Sequence, residues 1–371
     1  MGTSDTGRLI APGLDASLVD WLDSHATRLD TGTDLNADVV PRLASAGLFR
    51  IGVPATLGGS GGTTMDAIAS IAAVAEHSLT AAFVFWGQRS FIEYLLQSPN
   101  ADLRKRLLPP LLDGTLAGAS GLSNAMKYLS GIESLQIEAA QDTHPAGNWR
   151  LTGKMAWVTN LRAEQFVVAA AVSYRDGRPS AIFAIPNDAP GFTRSADLDL
   201  IALRGSNTAA LLLENVPSSA DWLIHPDAQE FLPAVRAAFL GLQCGLSIGL
   251  ARRSLAEARR AAETTRSILG PEVQACVEGL TTACSLLSSG IADGSLRARP
   301  NRLFELRIEI AALVANAVNL ELEASGGRGY LRDAGLGFDR RWREAAFIPI
   351  VTPSVVQLKA QLARQARSIA A

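Results

Sequence analysis

The spacing of apolar residues changes twice along this chain, and that double change constrains the fold more than any other feature. Over residues 14–116 apolar side chains recur at three and four residues, as in "LDASLVDWLDSHATRLD", where Asp15 is placed to cap a helix, and in the alanine-rich "TMDAIASIAAVAEHSLTAAFVFWGQRSFIEYLL". That spacing is helical, and the second stretch is apolar on nearly every face, so it is expected deep inside. From about 117 to 225 the period falls to two. "SLQIEAAQ", "NWRLTGKMAWVTN", "QFVVAAAVSY", "SAIFAIP" and "TAALLLENV" are separated by "THPAGN", "RDGRP", "NDAPG" and "LRGSN". Short alternating runs between turn sequences read as strands of a sandwich or barrel. After about 228 long helical patterns return, four of them with short connections, which predicts a four-helix bundle. The predicted fold is α+β with an N-terminal helical lobe (1–116), a middle β-barrel (117–227) and a C-terminal four-helix bundle (228–371).

Composition narrows the function. The chain has 371 residues, 48% hydrophobic and 19% charged, with a net charge of −2; it is long enough for more than one core and too apolar to stay disordered. No dense basic block is present, which argues against nucleic acid or an anionic membrane surface as a partner. No uninterrupted apolar run reaches the roughly 18 residues of a membrane span. The first residues lack a basic segment followed by an apolar one, so a cytoplasmic location is expected. Cys244, Cys276 and Cys284 are odd in number and have no C-x-x-C spacing, which predicts a reducing compartment and no zinc. His25, His77, His144 and His225 are scattered; they read as structural or surface residues, and no metal site is predicted.

Several short motifs carry more specific information. "GVPATLGGSGG", "LTGKMAWVTNLRAEQFVVAA", "LRGSNTAALLLENVPSSADWLI", "TRSILG", "GGRGYL" and "RRWREA" occur in that order. By local rules alone Trp157 would be a core aromatic. Arg266 would be a solvated or dipole-compensating charge, and "GGRGY" a helix C-cap turn. Together the six resemble the acyl-CoA dehydrogenase family, whose G-x-K-x-W-I-T-N, R-x-x-F-G, G-G-x-G-Y/F and R-x-x-R-D-A segments they match from about residue 40 onward. The resemblance implies FAD at the join of barrel and bundle, with FMN or a loosely bound reduced flavin as the alternative. Trp157 and Thr159 would lie against the isoalloxazine, with Ser123 standing for the hydroxyl of the family's T-E-P-x-x-G-S-D loop. Arg266 would reach the diphosphate of a neighbouring subunit, and Gly326 and Gly327 would admit a phosphate to backbone N–H groups. Such shared sites imply a homo-oligomer, a dimer or tetramer.

The chain departs from that family at the chemistry. Dehydrogenation of an acyl thioester needs a general base, commonly the glutamate of a Y-E-G-T run after R-D-A. Counting on from "REA", that glutamate falls on Thr352, its glycine on Pro353 and its threonine on Ser354, within "FIPIVTPSVVQ". A threonine hydroxyl is too weak a base unless another group takes its proton. Thr352 is instead expected to cap the last helix, with Pro353 near its first position, while Ser354 keeps the one hydroxyl left for the cofactor. The family's second base position is occupied by Arg260, which leaves Glu263 or Glu257 as candidate bases. Three functions stay open: α,β-desaturation of an acyl thioester with hydride transfer to flavin N5, oxygenation of a small substrate by reduced flavin and O₂, and a flavin-free, non-catalytic role.

Overall fold

Several of the helical patterns start at side-chain caps, those of Asp15, Thr63, Ser78 and Asn100 among them. The computed structural model describes residues 13–129, 131, 133–142, 148–265, 267–331, 335 and 337–370. The chain opens with α1 (Ala16–Thr31), whose N-terminal N–H groups of Ser17 and Leu18 are accepted by the Asp15 carboxylate, as the sequence predicts. After α2 (Val39–Ser45) come α3 (Thr64–His77) and α4 (Leu79–Gln97). The sequence reads these two as one helical run; the chain breaks at Ser78, whose backbone is extended and whose hydroxyl accepts from Ala81 N–H to start α4. α5 (Ala101–Leu112) leads into the β region.

That region consists of β1 (Ala117–Ser120), then α6 (Ser123–Leu129), β2 (Ile137–Gln141), β3 (Trp149–Val158), β4 (Phe166–Tyr174), β5 (Ala181–Pro186), β6 (Phe192–Asp197), β7 (Ala209–Ser218) and β8 (Leu223–His225). Pairing follows the order β6-β7-β3-β2-β4-β5-β8, with β1 parallel to β4. All pairs are antiparallel except β1–β4 and the short β2–β4 contact. The strands surround a core that includes Leu151, Val168, Phe183 and Leu213. Among the described residues the pairing does not run from β6 back to β8, so the expected barrel is realised as an open one.

The C-terminal part contains α7 (Ala228–Thr265), α8 (Gly270–Ala292), the short α9 (Ser295–Ala298), α10 (Pro300–Ser325), α11 (Phe338–Phe347) and α12 (Val355–Ala370). α7, α8, α10 and α12 are the four predicted long helices. The two helical parts share one continuous core, in which Leu22, Ile71, Phe85, Leu246, Leu280, Ile310 and Leu358 all belong to the same apolar cluster. α7 is the reason: at Gly245 an added Cβ would lie 2.8 Å from Ile68 O, and at Gly249 2.1 Å from Ala72 O. Only glycine lets the α3 backbone come so close.

One expectation needs amending. Ala228–Ala262 and Ser267–Ala292 are long and apolar enough to cross a membrane by length and composition, although each is interrupted by polar residues. The most apolar window of the first is 83% buried inside the protein, that of the second only 33%. The first is thus a core helix, and the exposed side of the second is mainly polar, with Leu286 as its large apolar residue.

Candidate functional site

The end of β3 is the best-braced stretch of the β region. Thr159 is 4% exposed, and its hydroxyl donates to Ser206 O at 3.0 Å. Asn160 adopts the left-handed conformation, φ 62°, which asparagine tolerates better than most residues. Its side-chain amide donates to Gly118 O and to Gln88 Oε1, both at 2.9 Å. Gln88 is fully buried on α4 and uses its whole amide: Nε2 donates to Leu111 O and Leu116 O at 2.9 Å, while Oε1 also accepts from Gly118 N–H at 2.7 Å. Gly87 makes the approach feasible, since an added Cβ would sit 3.3 Å from Asn160 Cβ. Against this rigid backing Trp157 is 63% exposed. It is not the core aromatic that strand alternation predicts, but a free indole face on a fixed strand.

A second structure holds the segment after α11. "RRWRE" places three arginines that each find a different buried carboxylate. Arg340 pairs with Glu344 at 2.8 Å, and Glu344 in turn accepts the Leu79 N–H at the start of α4. Arg341 pairs with Glu321 of α10 at 3.0–3.1 Å, and Arg343 with Asp30 of α1 at 2.8 Å. Burial pushes the carboxyls of both Asp30 and Glu344 above their ordinary range, outweighing the arginines and the backbone N–H groups that oppose it. α11 is therefore fixed to α1, α4 and α10 at once.

Beyond α11, the turn 348–354 lies between α7 and α10. Arg307 of α10 donates to Ile348 O at 2.9 Å, and Gln243 of α7 to Thr352 O at 2.6 Å. Arg307 is fully buried, and among the described residues its Nε and Nη1 have no hydrogen-bond partner. The predicted cap is displaced by two residues: Ser354, not Thr352, caps α12. Its hydroxyl accepts from Gln357 N–H at 3.3 Å, and Gln357 Oε1 accepts from Ser354 N–H at 2.7 Å. A capping box of this kind needs its hydroxyl one residue before the first helical turn, and Pro353 has no N–H to donate. The Ser354 hydroxyl assigned to a cofactor is thus engaged with its own helix. Thr352 contributes its carbonyl rather than a base.

α4, α7 and α11 meet over this turn in a chain of aromatic rings. Phe83 stacks on Trp86 with centroids 5.4 Å apart and meets Phe347 edge-on at 4.6 Å; Trp86 contacts Phe239 at 5.1 Å. Tyr94 continues the chain to Phe239 and anchors its hydroxyl to Ser120 at 2.7 Å.

The remaining predicted residues are spread more widely. Ser123 starts α6, at the open end of β1. Gly326 ends α10 at φ 60°, ψ −147°, a region only glycine occupies readily. Gly327 faces open space, with nothing within 4 Å of an added Cβ. Arg266 and the side chain of Glu263 lie outside the described residues. Glu257 is committed to Arg253 and Arg260, each at 3.0 Å. Sequence reasoning missed Gln88, Gln243 and Arg307. Their one signal was a polar residue in the middle of an otherwise apolar helical stretch.

Of the residues expected to hold a flavin, Trp157 offers an exposed ring face for the isoalloxazine and Gly327 an unobstructed backbone for a phosphate. The family model for the acyl-CoA dehydrogenase N-terminal domain matches residues 15–115. A probable acyl-CoA dehydrogenase of Bacillus subtilis, YngJ, is 25% identical over 345 residues, covering 88% of each chain. Among solved structures, a nitrososynthase from Micromonospora carbonacea superposes with a TM-score of 0.78 at 22% identity over 96% of this chain and 98% of that one. KijD3, solved with FMN and a dTDP-linked amino-keto sugar, superposes with 0.77 at 21% identity over 99% and 97%.

Proposed function

We propose that this chain, which belongs to the acyl-CoA dehydrogenase family, is a flavin-dependent oxidoreductase that oxygenates a small substrate rather than desaturating an acyl thioester. The observation that supports this reading is the turn 348–354. No carboxylate lies between 345 and 371, and the nearby buried carboxylates Glu321 and Glu344 are each held by an arginine. Removing an α-proton calls for a desolvated, unpaired base, whereas oxygen transfer to a nucleophilic substrate does not. The nitrososynthase and the FMN-bound KijD3 likeness lends the reading further support.

Bound reduced flavin, FAD or FMN, would supply the electron pair for reduction of dioxygen. Trp157 would carry the ring and Thr159 would offer its hydroxyl oxygen as an acceptor. Gln88 and Asn160 would keep both in place, and the aromatic chain from Phe83 to Phe239 would exclude water from the reacting side. Arg266, Gly326 and Gly327 would serve the phosphate end, Arg266 from a second copy of the chain. The half-exposed Leu286 of α8 is in keeping with a homo-oligomer.

Desaturation remains the second reading, carried by the acyl-CoA dehydrogenase relatives; Glu263 would then be its base. The test is turnover of the flavin-reconstituted protein on small amines and on acyl-CoAs. Product oxygen labelled from ¹⁸O₂ is the expected result. Full anaerobic turnover of an acyl-CoA with an artificial acceptor overturns it in favour of desaturation. A colourless protein that takes up neither FAD nor FMN sinks both.

A further inference from the structure

A groove of about 630 Å³ runs along α10 on the side where α11 and the start of α12 lie. Ile308, Ala311, Ala312, Ala315 and Asn319 recur at three- and four-residue spacing and so share its α10 wall. The alanines keep that wall low, and Ala312 and Ala315 are exposed along it. The opposite wall carries larger apolar side chains. Trp342 of α11 is exposed there, as are Ile350 and Val356, which follow the lining residues Pro349 and Val355 in the chain. α11 can present this side because its other face is engaged with α4, through Glu344 on the Leu79 N–H and Phe347 on Phe83. Exposed apolar side chains gathered around a groove mark a contact surface, not ordinary surface scatter.

Two charges indicate what covers it. Lys359 of α12 lines the groove on the high side, and Glu309 follows the lining residue Ile308 on the low side. Both are exposed, and among the described residues neither has an ion pair or a hydrogen bond. The face thus joins a high apolar rim with a free cation to a low alanine rim with a free anion. Turned by half about the long axis of the groove, each rim meets its opposite, which is the self-complementarity a two-fold contact requires.

We propose that this groove is a two-fold contact between copies of the chain. Trp342, Ile350 and Val356 of each copy rest on the alanine side of the other copy's α10, and Lys359 of one meets Glu309 of the other. Pro349 and Val355 flank most of the turn 348–354, so the second copy covers the outside of a turn that Arg307 and Gln243 hold from within. The inference rests on the proposed homo-oligomer and gives it a surface. It concerns other residues than the Leu286 contact, so the two fail separately.

The test is sedimentation equilibrium of the full chain over a range of concentrations, with hydrogen exchange of the same samples read by mass spectrometry. The variants are Ala312→Arg, Glu309→Lys, Lys359→Glu and the double reversal of the last two. The wild type is expected to associate, and exchange over 308–319 and 342–359 to slow as it does. Ala312→Arg sets an unpaired charge in the contact and should weaken association about a hundredfold or more. Each single reversal should weaken it about two- to tenfold, since a two-fold contact holds the pair twice. The double reversal should restore it. Should Ala312→Arg fail to fold, the charge reversals and the wild-type exchange pattern decide. A monomeric wild type overturns this contact together with the proposed homo-oligomer. Three results overturn the contact and leave the oligomer standing: association unchanged in Ala312→Arg, exchange over 308–319 unaffected by association, or a double reversal no tighter than the single ones.

Discussion

Gln88 shows how much one side chain can hold. Its amide meets four polar groups on α5, the approach to β1, β1 itself and the Asn160 turn, so replacing it strands several buried partners together. Gln88→Leu is expected to destabilise the protein by about 2–4 kcal/mol, measured by urea denaturation, and to weaken flavin uptake more than a core substitution of equal stability cost. The cysteines give a contrasting case. Burial pushes Cys244 up to about 12 and Cys284 to about 11, so neither forms appreciable thiolate near neutral pH. Native protein treated with iodoacetamide should leave both unmodified by mass spectrometry, and urea should expose them. Sequence reasoning could not place Gln88, because which backbone groups would need a partner is decided by tertiary contact.

At the scale of elements, α11 carries the clearest energetic signature. Arg341→Met leaves Glu321 charged and buried, and should cost about 3–5 kcal/mol. Adding Glu321→Leu should recover much of that loss, because the remaining charge is removed as well; the double-mutant cycle in urea reads it directly. Asp30 carries the pH dependence. Its native pKa lies above the ordinary 3.8, so the native state holds the proton more tightly than the unfolded one. The stability this contributes is full below the ordinary value and is lost as pH rises through the native one. Relative to Asp30→Asn, wild-type stability should therefore decline with rising pH across that window in denaturation curves. Helices of more than about ten residues were legible from their spacing because one face is buried throughout. α6 and β1 were not. Both are short, and "AGASGLSNAMKYL" has too few apolar positions to set a period, so local packing decides its form. α11 was likewise hidden, since its arginines face inward to carboxylates that only the tertiary structure brings near.

For the whole molecule, the order helix, sheet, helix and the four long C-terminal helices were readable, and the sharing of one core between both helical parts was not. That sharing depends on glycines of α7 fitting against α3, a complementarity no periodicity reports. The incompletely covered α8 gives the assembly prediction. Leu286, 49% exposed on that helix, is expected to lie in a contact between copies. Light scattering after gel filtration should show a dimer or tetramer for the wild type and a smaller species for Leu286→Glu. A monomeric wild type would remove the basis for a site shared between subunits.

Trp157 has an optical consequence. An indole standing 63% in solvent on a rigid strand emits at longer wavelength than the buried Trp21 and Trp86, and its emission overlaps flavin absorption. Docking of a flavin over it would quench its share of the red-edge emission, to which the exposed Trp342 also contributes, while Trp157→Phe would remove that share beforehand. The chain thus contains its own fluorescent reporter of cofactor arrival, one that works before any substrate is known.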